Sequence, residues 1–269
     1  DFTAFYARGG ILGPLRDKNS LPMLTVQGFG DHQVAMNLAA GVLAALFKAK
    51  MTGEGDHVVV SLFHSAIWDI SLMLQASQYG ADSTQYPMER WKLGNPLVLC
   101  YETADGQWLQ IAMPQYDRHY PILMNAMGYP ELADDARYYP QKNLIPNREE
   151  FSAWITAEFK KKTCDEWCKL LDANDLPYAI AQEWDSLLED KQAWASDCFY
   201  EMSYSNGNKR TLVRPPVLFD QMGLPPYERG PYLGEQTKDI LGELGYSAEA
   251  IDELIKSGAA IDMDPALRD

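Results

Sequence analysis

The chain is short of positive charge. Its 269 residues hold 23 Lys and Arg against 38 Asp and Glu, a formal net charge of −15. Nucleic-acid grooves need basic side chains to replace counterions, so no nucleic-acid partner is expected. The one basic run, the three lysines of residues 160–162, falls on the polar side of an expected helix and reads as solvated surface. Cysteine is scarce: Cys100, Cys164, Cys168 and Cys198. Cys164 and Cys168 stand four apart, which suits neither a zinc knuckle nor a disulfide framework. Reduced thiols in a cytoplasmic protein are the expectation. Long apolar runs are missing too. The longest, residues 34–47, is interrupted by Asn37 and falls short of the roughly 18–20 residues that a membrane span needs, so no membrane partner is expected. No signal peptide is visible. The sequence opens at Asp1-Phe2 without a Met, which reads as a processed, trimmed or truncated start.

Several catalytic signatures are also lacking. The four histidines, His32, His57, His64 and His119, show no metal-ligand spacing. There is no HExxH, no GxSxG, no P-loop, and no GxGxxG after a strand. Metal, serine-hydrolase and nucleotide-binding readings therefore have no support. What remains is an ordinary globular composition, 46% hydrophobic and 23% charged.

Along the chain, residues 1–30 are Gly-rich and irregular, with a possible strand at 23–27. A helix is expected over 32–51, closed by Gly53. The β-branched run 57–63, HVVVSLF, reads as a buried strand and 65–80 as a second helix. Helix, strand, helix with short joins is α/β grammar. After a polar linker at 81–96 the grammar changes. Two strands around Asp105-Gly106 form a hairpin. Amphipathic helices follow, with Trp154, Phe159 and Trp167 on their apolar faces. Residues 214–237 are too rich in Pro and Gly for regular structure and read as a surface strap before two short closing helices.

One stretch, GFGDHQVAM at residues 28–36, holds the chemistry. Asp31 stands at the mouth of an apolar helix, between Gly30 and His32. Its plain reading is a helix N-cap, a position that Asp favours. A catalytic reading is compatible, because a helix N-terminus stabilises negative charge. Gly28 and Gly30 would leave room for a bulky substrate. A carboxylate nucleophile forms an anhydride or an ester.

The stretch GDHQVAMNLAAGVLAALFKAKMTGEGDHVVVSLFHSA resembles the hallmark of the class III CoA-transferases, the formyl-CoA and carnitine CoA-transferase family. That hallmark is a catalytic Asp, a helix ending in a basic residue plus Thr-Gly-x-Gly, then a V-x-V-S-L strand. DGQWLQIA, RPPVLF and PYLGEQTKDILGELGY follow in the family's order. The branch acting on aromatic or branched 2-hydroxy acids is the most similar, through YARGG and GNPL. Two departures stand out. One glycine, Gly94, replaces the glycine-rich loop of formyl-CoA transferases, and Gln236 replaces a His in the family's GEHT.

The resemblance implies an α/β fold: part of a Rossmann-like large domain (1–80), a linker (81–96), an α+β small domain (97–213), and a strap with closing helices (214–269). It implies an interlocked homodimer, and an N-terminal half before Asp1 that supplies most basic groups of the CoA pocket. It implies Asp31 as the nucleophile, with Asp1, Gly28, Gly30, His32, Gly94 and Asn95 as candidates for contact with substrate or CoA. Coenzyme A enters as substrate, as acyl-CoA, beside a small carboxylic acid. No tightly bound cofactor and no metal are expected. Two rivals are an α-methylacyl-CoA racemase of the same fold and a catalytically incomplete fragment that acts only with a missing half.

Overall fold

The structure is a computed structural model that describes residues 1–80, 86–204, 207–219 and 227–264. It divides into two compact units, residues 1–181 and 182–269. The first unit opens on a wide, π-type helical turn, Phe2–Ala7. Phe5 and Tyr6 of this turn are buried with Ala66 in a small cluster of their own. The possible strand at 23–27 is irregular backbone. Helix α1, Phe29–Thr52, starts three residues before the expected position. It ends as expected at Gly53, whose φ of 77° lets its N–H turn back to the Ala49 carbonyl.

Helix α1 corrects the expectation about apolar length. It is long and apolar enough to cross a membrane by length and composition. Asn37, which interrupts the run, does not break the helix; its side-chain Nδ2–H donates to Ser65 Oγ at 2.9 Å. Leu43, Phe47 and Met51 are exposed, and among its described residues only Gly30 is buried.

The run 57–63 is not a strand. Ser61 caps helix α2, Leu62–Asp69, accepting from the His64 N–H at 3.2 Å, so the last two residues of the run are helical. Residues 57–60 pair with no strand, and Val59 is 74% exposed. A β-branched run is only as strand-like as its neighbours allow. Among the described residues no strand lies beside this one. It runs along α1 instead: a Cβ on Gly41 would stand 2.8 Å from Val58 Cγ1. The expected second helix is broken at Ile70 into α2 and α3, Ser71–Ala76, and ends at Gly80.

The main core lies in residues 88–178. β1, Cys100–Glu102, and β2, Trp108–Ile111, pair antiparallel around the expected turn, with Gly106 at φ 77°. A third strand, β3, Tyr178–Ile180, adds to the free edge of β2. Helices α4, Tyr116–Met127, α5, Gln141–Leu144, α6, Arg148–Phe159, and α7, Cys164–Ala173, cover the sheet. Phe159 and Trp167 are buried where their helical spacing places them. Their rings stack at 4.4 Å, and the Trp167 indole N–H donates to the Phe159 carbonyl. Trp154 packs at the edge of this core, and Leu93, from the end of the polar linker, is part of it. The lysines of 160–162 follow α6, and Lys160 and Lys161 lie at the surface as expected. Lys160 pairs with Glu102, Lys161 with the buried Glu158, and Lys162 lies over the Trp167 ring.

In the second unit, α8, Trp184–Leu188, and α9, Lys191–Ala195, precede an antiparallel hairpin of β4, Phe199–Ser203, and β5, Lys209–Val213. Residues 214–219 and 227–236 carry no helix or strand, as their Pro and Gly content requires; residues 220–226 of the expected strap lie outside the described residues. Helices α10, Thr237–Glu243, and α11, Ala248–Lys256, close the unit, with Ser247 capping the second. The architecture is a mixed helix and sheet fold. Both sheets of the described residues are antiparallel, so the parallel sheet of a Rossmann-like domain is not formed by them.

Candidate active site

The start of α1 is built from three chain segments. Gly28 sits just before the helix at φ 80°, ψ −4°, a left-handed conformation that glycine adopts without strain. The Asp1 carboxylate accepts the Gly28 N–H at 2.7 Å and the Gly30 N–H at 3.1 Å. It therefore does the work of an N-cap from 27 and 29 residues away in sequence. The Tyr6 hydroxyl donates to the Val26 carbonyl at 3.3 Å and ties down the strand of chain leading in. Below, Phe5, Tyr6 and Phe29 form an aromatic cluster with ring separations of 5.5 to 6.4 Å.

This changes the reading of several candidates. Asp31 is not the N-cap. It is the third residue of the helix and makes no capping bond. Its side chain is exposed, with no hydrogen-bond or ion-pair partner among the described residues. An aspartate in the first turn lies in the positive field of the helix end. Gly30 is not bare to admit a substrate. It is buried, and a Cβ there would stand 2.4 Å from Phe5 Cγ and 2.5 Å from Asp1 Oδ1. Its lack of a side chain lets the aromatic cluster and Asp1 press against the helix. Asp1, expected near substrate, uses its carboxylate to hold this backbone.

His32 is exposed, and its Cε1 lies 3.9 Å from where a Gly28 Cβ would be. The imidazole thus folds back over the first turn, at the same end of α1 as Asp31. Gly94 and Asn95 belong to a different place, the loop before β1. The Asn95 carboxamide accepts from Leu97 N–H at 2.9 Å and donates to the Met113 carbonyl at 3.1 Å. The Gly94 carbonyl accepts from Gln141 Nε2 at 3.0 Å. No hydrogen bond or ion pair joins these two to the Asp31 end among the described residues.

The Thr-Gly-x-Gly signature lies at the other end of α1. Thr52 Oγ1 donates to the Lys48 carbonyl and accepts from Glu54 N–H, so the motif terminates the helix. In GEQT, Glu235 is gripped by both Arg229 Nη atoms, at 2.9 and 2.6 Å, and by Tyr232 N–H at 2.8 Å. Gln236 stands at the start of α10 without a side-chain cap bond.

Other places offer less. A cavity of about 470 Å³ lies beside Trp91. It is lined by Lys18, Arg90 and Lys92, but equally by Asp17, Glu89 and Glu149, so it presents no net charge to an ion. No group of three or more His, Cys, Asp or Glu suited to a metal occurs among the described residues.

A family model of CoA-transferase family III matches residues 1–237. The chain belongs to that family. It is 46% identical over 257 residues to the cinnamoyl-CoA:phenyllactate CoA-transferase of Clostridium sporogenes, covering 95% of this chain and 62% of that protein. It is 37% identical to the (R)-2-hydroxy-4-methylpentanoate CoA-transferase of Clostridioides difficile, covering 94% of this chain and 62% of that one. The chain thus spans about three-fifths of the length of these relatives. A crystal structure of a CAIB/BAIF family protein from Brucella suis matches with a TM-score of 0.71 at 20% identity. That match covers 89% of this chain and 61% of the other, and it shows the shared fold.

Proposed function

We propose that this family III chain acts in moving CoA between an acyl-CoA and a free carboxylic acid, through an aspartyl-CoA thioester on Asp31. The observation that carries this is the exposed, unpartnered Asp31 carboxylate in the first turn of α1, whose backbone Asp1 holds in place. The Asp31 oxygen attacks the thioester carbonyl of the donor. The C–S bond breaks, and the pair leaves as CoA thiolate. The product is a mixed anhydride of the acyl group and Asp31. The thiolate then attacks the Asp31 carbonyl carbon, and the donor acid leaves as its carboxylate. The acceptor carboxylate attacks the resulting thioester, and the steps run in reverse. A carboxylate suits this exchange because an anhydride keeps the acyl group's transfer energy, which an ester on Ser would discard.

The acceptor in this reading is an aromatic or branched 2-hydroxy acid. The names of the two relatives at 46% and 37% identity support that choice. Coenzyme A is a substrate here, and the chemistry calls for no tightly bound group. The reading includes a cytoplasmic, interlocked homodimer in amino-acid fermentation. Residues 1–80 contribute to a Rossmann-like large domain, 97–213 form the small domain, 81–96 link the two, and 214–269 return to the large domain.

Replacing Asp31 tests the proposal. Asp31→Ala in the longest natural form of the chain should abolish transfer and leave the fold intact, since the side chain holds nothing in place. During turnover of the wild type, hydroxylamine should trap a hydroxamate on Asp31, located by mass spectrometry. A hydroxamate on another residue, or near-native transfer by Asp31→Ala, would refute the mechanism.

A further inference from the structure

The reaction just described leaves one charge unanswered. When the C–S bond breaks, a thiolate forms beside Asp31 and must wait, anionic and close, to attack the Asp31 carbonyl. In a chain with a net charge of −15, such a group needs a donor aimed at it. Of the backbone donors at the helix start, the Asp31 N–H keeps no partner among the described residues, whereas the Gly28 and Gly30 N–H groups go to Asp1. Phe29 N–H goes to the Val26 carbonyl and His32 N–H to the Gly28 carbonyl.

The His32 side chain is left over. Its imidazole is exposed, adjoins Asp31 in sequence, and folds back over Gly28 toward the open end of α1. No hydrogen bond or ion pair engages it among the described residues. Nothing in the packing requires it, since a histidine there fills no cavity and caps no backbone group. The ring's Cε1 lies 3.9 Å from where a Gly28 Cβ would be, so it rests in van der Waals range of the residue before the helix.

We propose that His32 is a further catalytic residue, whose ring N–H donates to the CoA sulfur as the thioester bond breaks and holds the thiolate for its return. This rests on the proposed Asp31 mechanism. No proton is transferred. The electron pair of the C–S bond goes to sulfur, the His32 N–H stabilises it there, and the same pair forms the new bond to the Asp31 carbonyl carbon.

The test compares His32→Ala, His32→Gln and, as a control, the neighbouring exposed Gln33→Ala, in the longest natural form of the chain. Removing one donor aimed at developing charge costs about 10²–10³ in kcat in enclosed sites. At this more open position a fall of at least tenfold is expected for His32→Ala. KM for the donor thioester should stay within about threefold, because the bond forms only as charge develops. His32→Gln, which keeps an N–H donor, should recover at least threefold of the loss, and Gln33→Ala should match the wild type. His32 is exposed, so each variant should keep the fold, which circular dichroism checks. A kcat within twofold of wild type for His32→Ala, a loss carried by KM, or no recovery in His32→Gln would overturn the proposal. Hydroxylamine trapping on the wild type separates the two claims. A hydroxamate on Asp31 with an unaffected His32→Ala variant refutes His32 alone. No hydroxamate on Asp31 refutes both.

Discussion

Asp1 and Gly30 are locked together: the Asp1 carboxylate accepts the Gly30 N–H, while a Cβ on Gly30 would collide with that carboxylate and with Phe5. The helix that carries Asp31 is therefore positioned from outside itself. Its first turn depends on a residue 29 positions before Gly30, and any change at that contact should be felt at Asp31.

Asp1→Ala should loosen the start of α1. It removes two hydrogen bonds in which the acceptor is charged, the equivalent of an N-cap, and should lower stability by about 1–3 kcal/mol. Hydrogen exchange would localise the effect, with faster exchange at the Gly28 and Gly30 amides than in the wild type. Unchanged exchange there would show that the carboxylate is dispensable to the turn.

Two glycines two residues apart should respond differently to substitution. Gly30→Ala forces a Cβ into space held by Phe5 and Asp1, and overpacking of this kind costs about 1–3 kcal/mol. Gly28→Ala meets no close atom but must hold a positive φ, at about 1–2 kcal/mol. Gly28→Asn should restore much of that loss, because Asn tolerates the left-handed region, whereas Gly30→Asn should be worse than Gly30→Ala. Urea denaturation of the four variants checks the order.

The second unit should be sensitive to acid. Hydrogen bonds from Arg229 and the Tyr232 backbone hold the Glu235 carboxyl down at about 2 from an ordinary 4.5. A carboxylate whose pKa is lower when folded adds stability that is complete above the unfolded value. That contribution is lost as pH falls through the folded value. The loss should fall between pH 4.5 and 2, and Glu235→Gln should flatten the stability profile in that window. Chemical denaturation followed across that range would reveal it.

Local chemistry explains which parts were legible in the sequence. Gly53 closes α1 in a left-handed conformation, and Asp105-Gly106 makes the hairpin, because these signals act within a few residues. The burial of Phe159 and Trp167 follows from helical spacing. The run 57–63 misleads because its five β-branched or apolar residues look the same whether or not a neighbouring strand exists. β3 was invisible for the complementary reason. Tyr178–Ile180 is three residues long, and its partner β2 lies some 70 residues earlier. At the proposed site, the sequence points to Asp31 as the N-cap, and the structure gives that role to Asp1 instead. No spacing rule announces that Asp1 caps backbone groups 27 and 29 residues away, or that Gly30 is small because Phe5 is large.

If the acceptor is an aryl or branched 2-hydroxy acid, selectivity should be broad within that class and steep outside it. A hydrophobic pocket separates one methylene by only about 1–3 kcal/mol, so several related acids should serve. A panel of formate, oxalate, carnitine, 2-hydroxyisocaproate and phenyllactate should give transfer to the last two. Deuterium in the solvent should not enter C2 of the acyl group without an acceptor acid. Wash-in at C2 without transfer would favour a racemase, and preference for formate or oxalate would reject the substrate class.

The last prediction concerns α1. A helix apolar on nearly all sides is stable where its sides are covered, yet Leu43, Phe47 and Met51 of α1 are 65%, 70% and 71% exposed within residues 1–269. The relatives at 46% and 37% identity are longer than this chain, which matches 62% of each. Sequence corresponding to the rest of them is the cover proposed for this helix, and it would also bring the basic groups that an acidic chain needs to hold anionic CoA. Residues 1–269 expressed alone should therefore bind a hydrophobic dye, associate through α1 and the extended segment beside it, and show no saturable CoA binding at micromolar levels by calorimetry. Proteolysis should cut first within residues 21–27, which are irregular and mostly exposed, and leave the core around Phe159 and Trp167, which has its own sheet and helices. Paired substitutions such as Leu43→Gln with Phe47→Gln should reduce self-association of the 269-residue chain while weakening the longer form. Stoichiometric CoA binding with turnover by residues 1–269 would mean that the pocket is complete without that cover.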